Sequence, residues 1–529
     1  MTFFSLGFFF FLACLLVVYY GCGRFAPKYQ WIVLLVASII FYGISGGWTT
    51  LAFMLGTAFT TWLGARKMAD YNAQAKEARK AAKGREAKKA VKQKFTKKRR
   101  VILVAVLLVN LGILGYLKYW NVLLYNFGLA KSTHSLGLLL PLGISFYTFI
   151  SLGYLIDIYN DKYKIEPNFA KFLLFVSWFP QIIQGPINRF DAMRGQLYEQ
   201  RSPNAYGMRR GLLRLGYGVF KKYAIANVLV GNYQAIFANA DEHTLSPVII
   251  IGILLYTAYM YADFSGGIDM VEGVSELFGI EMAPNFRQPY FSTSLAEYWR
   301  RWHMSLGAWM KDYVFYPIAV AKPFKDLNRR ATKVLGKQIG RTISACIANV
   351  IVFTIVGLWH GAEWHFIAWG LFNGTIIALS DLLAPTFDKW ATALKVNRKS
   401  VPWHIFSIIR TMTIVSIGRY FDCIEDMGKV WLCMRDTLVN LSAFELKWQL
   451  ANYGVVCPEF YGFIPPALAA CCVVFVISFF YERGTDVRAA ILSWKFPLRG
   501  ALYLGMGLIW VFATGFGLTQ GEVFLYAFF

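Results

Sequence analysis

Apolar and polar positions along this chain come in long blocks, not in single alternations. Apolar runs occupy 3–20, 31–42, 48–64, 101–125, 139–158, 246–262, 342–359, 365–383, 404–418, 461–480 and 498–518. A bilayer core about 30 Å thick is crossed by roughly 20 apolar residues in a helix, and these runs reach or approach that length. In lipid every backbone polar group must be satisfied within the segment, so each block predicts a helix. The pattern predicts an all-α polytopic integral membrane protein with about eleven transmembrane helices plus re-entrant and interfacial helices. The shorter run at 171–183 is the re-entrant candidate. The first run has no basic leader and exceeds the apolar core of a cleaved signal, so it reads as a retained helix. No internal repeat or long Gly/Ser/Pro linker separates the blocks, and residues 1–529 read as a single membrane domain.

A finer pattern appears in "YFSTSLAEYWRRWHMSLGAWMKDYVFYPI" (290–318). Ser294 with Glu297 three residues on is a capping box, which predicts a helix beginning at Leu295. Leu295, Trp299, Trp302, Leu306 and Trp309 then recur at helical spacing as one narrow apolar stripe. Glu297, Arg300, Arg301, Lys311 and Asp312 fall off it. Such a helix suits the membrane interface, or a place packed beneath the membrane core. His303 sits at the edge of the stripe, about 80° from Leu295 at 100° per residue. It is either an interfacial histidine or part of a site.

Composition supports the membrane reading. The 529 residues are 57% hydrophobic and 16% charged, against about a quarter charged in soluble domains. The net charge is +24 and is concentrated. Residues 66–100 hold fifteen Lys or Arg against three acids. Between two spans, that density is a positive-inside signal, and it makes 66–100 a basic cytoplasmic loop. Its Ala, Lys and Glu content also favours a helix. Contact with anionic headgroups is a secondary effect, and nucleic acid is not expected as a partner. The block at 287–341 has eleven Lys or Arg against three acids and reads as a cytoplasmic or interfacial amphipathic segment. Counting back from 66–100 puts the N-terminus outside. The eight cysteines form no CxxC pair and read as small buried hydrophobes.

"IVGLWHGAEWHFIAWGLFNG" (355–374) places His360, Glu363 and His365 in a run that otherwise reads as membrane. Polar groups there are costly and usually face an internal cavity. Three readings compete. A metal site is disfavoured, because His360 and His365 are five apart and diverge around a helix. A packed, hydrogen-bonded histidine is the second. The third is a general base, since neutral imidazole tolerates an apolar setting and can take a hydroxyl proton. Gly361 would leave room for a ligand to approach. Glu363 and His365 read as tuning or packing residues.

The segments "PYFSTSLAEYWRRWHMSLGAWMKDYVFYP" and "GLWHGAEWHFIAWGLFNG" resemble the membrane-bound O-acyltransferase family. The nearer branch holds the alginate O-acetylation and teichoic-acid D-alanyl transfer proteins. "PLGISFYTFISLGYLIDIY" (141–159), "FPQIIQGPINRF" (179–190) and "YADFSGGIDM" (261–270) follow in the order of that branch. The resemblance covers 140–375. The insert at 66–100 is not part of the family signature.

The resemblance implies a transferase that moves an acyl group through the membrane to an acceptor hydroxyl. His360 matches the family's general-base histidine. His303 matches the second histidine of the bacterial branch, which binds donor or orients the reaction. The chain length favours O-acetylation of a cell-surface or exported polysaccharide, with D-alanyl transfer to teichoic acid as the alternative. The implied donor is acetyl-CoA or an acyl carrier protein thioester on the cytoplasmic side, with no bound cofactor and no metal. The acceptor is a polymer or an extracytoplasmic acyltransferase, and the location a bacterial plasma membrane. Arg300, Arg301 and Lys311 are candidates for attracting donor phosphates, although positive-inside bias explains the same charges. Trp302, Trp359 and Asp263 join them as substrate- or donor-binding candidates. Trp359 and Trp364 read as cavity-lining or packing, and Asp263 and Asp269 as holding a turn at 261–270. A polysaccharide-precursor transporter or a secretion scaffold is the rival from another class; neither accounts for both histidine motifs.

Overall fold

A computed structural model of the chain describes residues 5–129, 140–455 and 464–515. Among these residues there is no β-strand, only one antiparallel bridge between Phe286 and Trp302. Eight helices are long and apolar enough to cross a membrane, and Ile144–Tyr159 and Phe496–Val511 are shorter apolar helices. The run expected at 48–64 is the first half of a longer helix, made less apolar by five threonines. Residues 3–4 and 139, the start of 461–480, the end of 498–518, and Cys457 lie outside the described residues. The sequence reading has one membrane domain; packing groups the chain into two compact units, 1–212 with 271–283, and 213–270 with 284–525.

The first unit opens with α1 (Leu6–Phe25), capped by the Ser5 hydroxyl, which accepts from Phe8 N–H. Then come α2 (Gln30–Gly46), α3 (Trp48–Ala81) and α4 (Arg85–Asn126). The basic stretch 66–100 is therefore mostly helical. It is the continuation of α3 and the beginning of α4, joined by a turn in which Gly84 has φ +91°. Arg99 anchors α4 to α5 (Ile144–Tyr159). It donates to the carbonyls of Ile158 (3.1 Å) and Tyr159 (2.5 Å) and pairs with Asp161 at 2.9 Å. The Ile158 carbonyl also accepts from Asp161 N–H, and the guanidinium adds donors to these last carbonyls of α5. The 171–183 run forms α6 (Phe169–Ser177) and α7 (Phe179–Gln184), broken at Trp178, and α8 is Phe190–Tyr198. Buried aromatic side chains fill this unit, with Phe8, Phe41 and Phe179 in one group and Tyr154, Phe172 and Phe190 in another.

The second unit begins within α9 (Ala205–Lys221), which runs through a π-helical turn, Lys222–Ala226, into α10 (Asn227–Asn239). Most of α11 (Ser246–Leu277) belongs here too. The expected turn at 261–270 does not exist, because those residues lie mid-helix in α11. Asp263 and Asp269 instead pair across to the preceding helix. Lys222 Nζ meets Asp263 at 2.5 Å, Lys221 Nζ meets Asp269 at 2.5 Å, and Arg214 meets Asp269 at 3.0 Å. Buried charges persist only when paired in this way.

The segment at 290–318 is not one helix. It consists of α12 (Leu295–Arg301), α13 (Met304–Met310), a π-helical turn Lys311–Phe315 and α14 (Tyr316–Ala319). The next helix, α15 (Lys322–His360), doubles back at Gly336, where φ is +82°. Asn328 Oδ1 accepts from Ser344 N–H and hydroxyl across that turn. α16 (Trp364–Ala393) packs antiparallel to α15. A side chain at Gly357 would strike the Phe366 carbonyl, one at Gly370 the Phe353 carbonyl, and one at Gly374 would lie 2.8 Å from Val350 Cα. Three glycines thus bring the two backbones together. The rest comprises α17 (Val401–Cys423), α18 (Met427–Val439), α19 (Leu446–Asn452), α20 (Ile464–Glu482), α21 (Val487–Leu492) and α22 (Phe496–Gly515).

Candidate active site

The break between α12 and α13 makes the site. The Ser294 hydroxyl accepts from Glu297 N–H, as the capping box requires. The Glu297 carboxylate reaches one residue further back than expected, accepting from Thr293 N–H (2.9 Å) and its hydroxyl (2.8 Å). The helix ends seven residues later. Trp302 is extended (φ −107°) and His303 is left-handed (φ +46°, ψ +51°). A left-handed non-glycine costs roughly 1 kcal/mol, so surrounding contacts must hold it. The strand-like stretch 285–287 supplies them. Arg287 N–H donates to the Arg301 carbonyl, and Met304 N–H to the Asn285 carbonyl, each at 2.9 Å. The expected continuous stripe across Trp302 is overturned, because these cross-chain bonds replace the helical ones.

Trp302 is enclosed. The Phe286 ring meets it edge-on at 5.0 Å, Tyr298 stacks at 5.6 Å, and the Arg419 guanidinium lies over it at 5.1 Å. Arg419 donates to Tyr298 Oη (2.8 Å) and pairs with Asp422 (2.6 Å). Trp302 is therefore a wall that fixes the break.

His303 is 4% exposed. Its Nδ1 lies 3.1 Å from Asn285 Oδ1, which also accepts from Ser305 N–H (3.1 Å) and hydroxyl (2.8 Å). A backbone N–H only donates, so the Asn285 atom there is the oxygen. The His303 proton then sits on Nδ1, and Nε2 carries the lone pair. Burial pushes the imidazole down to about 3. His303 is thus a neutral hydrogen-bond acceptor at physiological pH and a poor base.

His360 ends α15 and is half-buried. Its ring lies 4.8 Å from Trp359, 5.5 Å from Trp369 and 6.0 Å from Phe366. Trp359, buried, also lies 6.1 Å from His303. One indole thus neighbours both imidazoles. Trp369 also touches Trp299 of α12, whose Nε1 donates to Asn373 Oδ1 at 3.1 Å. The two histidine-bearing segments are tied together through α16.

The other sequence candidates separate from this pair. Asp263 is consumed by Lys222. Arg301 is bound by Glu297 (2.6 Å) and Glu482 (2.8 Å). Arg300 and Lys311 are exposed. Trp364 is 64% exposed, so it lines nothing. Gly361 does not open a path, because a side chain there would strike the Phe366 ring and the Glu363 carboxylate. His365 is buried and its Nδ1 donates to the Phe421 carbonyl at 2.7 Å, which ties α16 to α17. Sequence reasoning missed Asn285, which has no spacing signal to His303, 18 residues on. It also missed Arg419 and Asp422, whose charges at the end of an apolar run were a signal.

A model of the family described as membrane-bound O-acyltransferase matches residues 44–332, more than half of the chain. The chain belongs to the membrane-bound O-acyltransferase family. It is a multi-pass membrane enzyme that transfers acyl groups. It is 32% identical over 451 residues to a probable alginate O-acetylase of Pseudomonas aeruginosa, covering 83% of this chain and 74% of that one. It is 26% identical over 465 residues to a peptidoglycan O-acetyltransferase of Helicobacter pylori, covering 81% and 82%. A teichoic acid D-alanyltransferase of Bacillus subtilis matches at 28% over 291 residues, 53% of this chain and 67% of that one. The family match takes in Asn285 and His303. His360 lies beyond the matched residues, beside Trp359, whose ring also neighbours His303.

Proposed function

We propose that this O-acyltransferase acetylates hydroxyl groups of a cell-surface or exported polysaccharide, in a bacterial plasma membrane, with His360 as general base. The relatives named for polysaccharide O-acetylation support the acceptor and the acyl group. The observation that carries the base assignment is the contrast between the two imidazoles around Trp359. His303 is buried and held neutral, while His360, at the end of α15, is only half-buried.

The donor is a cytoplasmic thioester, acetyl-CoA or an acetylated acyl carrier protein. His360 takes the proton of the acceptor hydroxyl as its oxygen attacks the thioester carbonyl. The carbon–sulfur bond breaks, the ester forms, and the departing thiolate receives the proton from the imidazolium. His303 cannot stabilise the oxyanion through Nε2, since that nitrogen has no proton. It accepts instead, from the acceptor hydroxyl or from an amide N–H of the donor arm. Exposed Arg300 and Lys311 supply positive charge for donor phosphates. The immediate acceptor is the polymer or an extracytoplasmic acyltransferase.

The test is His360→Ala in cells, with mass spectrometry of the surface polymers, and in purified membranes supplied with labelled acetyl-CoA. Acetyl transfer should fall about 10²–10⁴-fold at unchanged protein level, the usual worth of a general base. Normal acetylation would sink the assignment. Loss of D-alanyl instead of acetyl esters would move the acceptor to teichoic acid.

A further inference from the structure

The basic hairpin carries a feature that acyl transfer does not use. On one face of α4, Lys92, Gln93, Thr96, Lys97 and Arg100 sit directly above Val101, Val104, Ala105 and Leu108, and together they line a groove of about 790 Å³. The apolar part is open, with Val101 62% and Leu108 69% exposed. The rotation of α4 is set from the opposite side. Arg99, at 200° from Lys97 by helical geometry, is buried and fixed to Ile158, Tyr159 and Asp161. Lys97, Arg100, Val101, Val104 and Leu108 are thereby held outward on one face.

The groove reads as a ruler for an amphiphile. From Arg100 to Leu108 the helix rises about 12 Å, close to the depth of one leaflet's hydrocarbon. The two cations stand where the apolar run begins, at headgroup level on the side that positive-inside bias assigns to the cytoplasm. Charge above and hydrocarbon below match a phosphate diester carrying acyl chains. We propose that Lys97 and Arg100, above Val101, Val104 and Leu108, form a binding site for one anionic glycerophospholipid of the cytoplasmic leaflet. A free phosphate would use only the upper half of the groove, and the exposed valines and leucine would then serve no ligand.

The test is native mass spectrometry of the purified full chain with equal amounts of phosphatidylglycerol and phosphatidylcholine. The wild type should retain phosphatidylglycerol preferentially. Lys97→Gln with Arg100→Gln should lower that preference by about thirtyfold, given the usual worth of two basic residues at an anionic surface. Val104→Trp, which fills the apolar half and leaves the charge intact, should also release the lipid. Lys88→Gln with Lys89→Gln, near the hairpin turn, removes the same charge and should leave the preference in place. Equal loss in both charge pairs would reduce the effect to the general charge of the hairpin and overturn the site. So would a wild type without preference. Retention by the Val104→Trp protein would leave only headgroup attraction and would also overturn it.

Discussion

Asn285 does more for this site than its single side chain suggests. Its oxygen accepts three hydrogen bonds, from His303 and twice from Ser305, and so selects the histidine's tautomer. Its amide nitrogen is buried without a hydrogen-bond partner among the described residues. Asn285→Ala removes the acceptor and leaves buried donors on His303 and Ser305, at about 1–3 kcal/mol. Acyl transfer in Asn285→Ala should drop at least tenfold, mostly in kcat, because His303 loses its orientation. Asn285→Asp keeps the acceptor and adds a negative charge beside the imidazole, which favours its charged form. The Asp variant should recover transfer at high pH and lose it as pH falls through the raised His303 value. The measurement is kcat and KM against pH for both variants. Matching pH profiles for Asn285→Asp and wild type would remove Asn285 from the account of His303.

Among the elements, the α15–α16 hairpin decides where His360 stands. Gly374 faces Val350, Gly370 faces Phe353 and Gly357 faces Phe366, so the helices approach by their backbones. Gly374→Val would force them apart two to three turns from the histidine. The expected result is a lower melting temperature by several degrees, consistent with about 1–3 kcal/mol of overpacking. Transfer should fall along with it. Unchanged melting in detergent would mean that the helices accommodate the side chain. The same scale shows what could be read in advance. Ser294 and Glu297 announced the start of α12 correctly, since capping is local. The end of α12 was invisible, because Leu306 and Trp309 keep helical spacing with Trp299 and Trp302 on both sides of the break. What stops the helix is pairing with 285–287, a contact no periodicity encodes. Likewise Asp263 and Asp269 looked like turn residues until Lys221 and Lys222 were found opposite them.

For the whole molecule, block hydropathy was enough for the class and for most of the spans. Among the described residues eight helices meet the length and apolarity of a crossing, and two shorter ones fall at expected positions. The basic stretch is helical as its Ala, Lys, Arg and Glu content favours, in two extensions of α3 and α4 that meet at Gly84. Its fifteen cations also predict the orientation of the chain. A green fluorescent protein inserted between Lys83 and Gly84 should fluoresce, as it does when it folds in the cytoplasm. A dark insertion paired with an active alkaline phosphatase insertion at the same site would invert the topology. The candidate site was legible as two histidines but not as a geometry. Trp359, sequence neighbour of one imidazole and ring neighbour of the other, is the residue that joins them.

That indole also gives the enzyme a built-in optical probe. Trp359 is buried near two imidazoles, and imidazolium is a strong quencher of nearby indole emission. If His360 is the base proposed above, each proton it takes up or gives away would be registered by the fluorophore beside it. Turnover would then leave a light signal that Trp359→Phe erases, and the reaction could be followed in time without labelling substrate or protein.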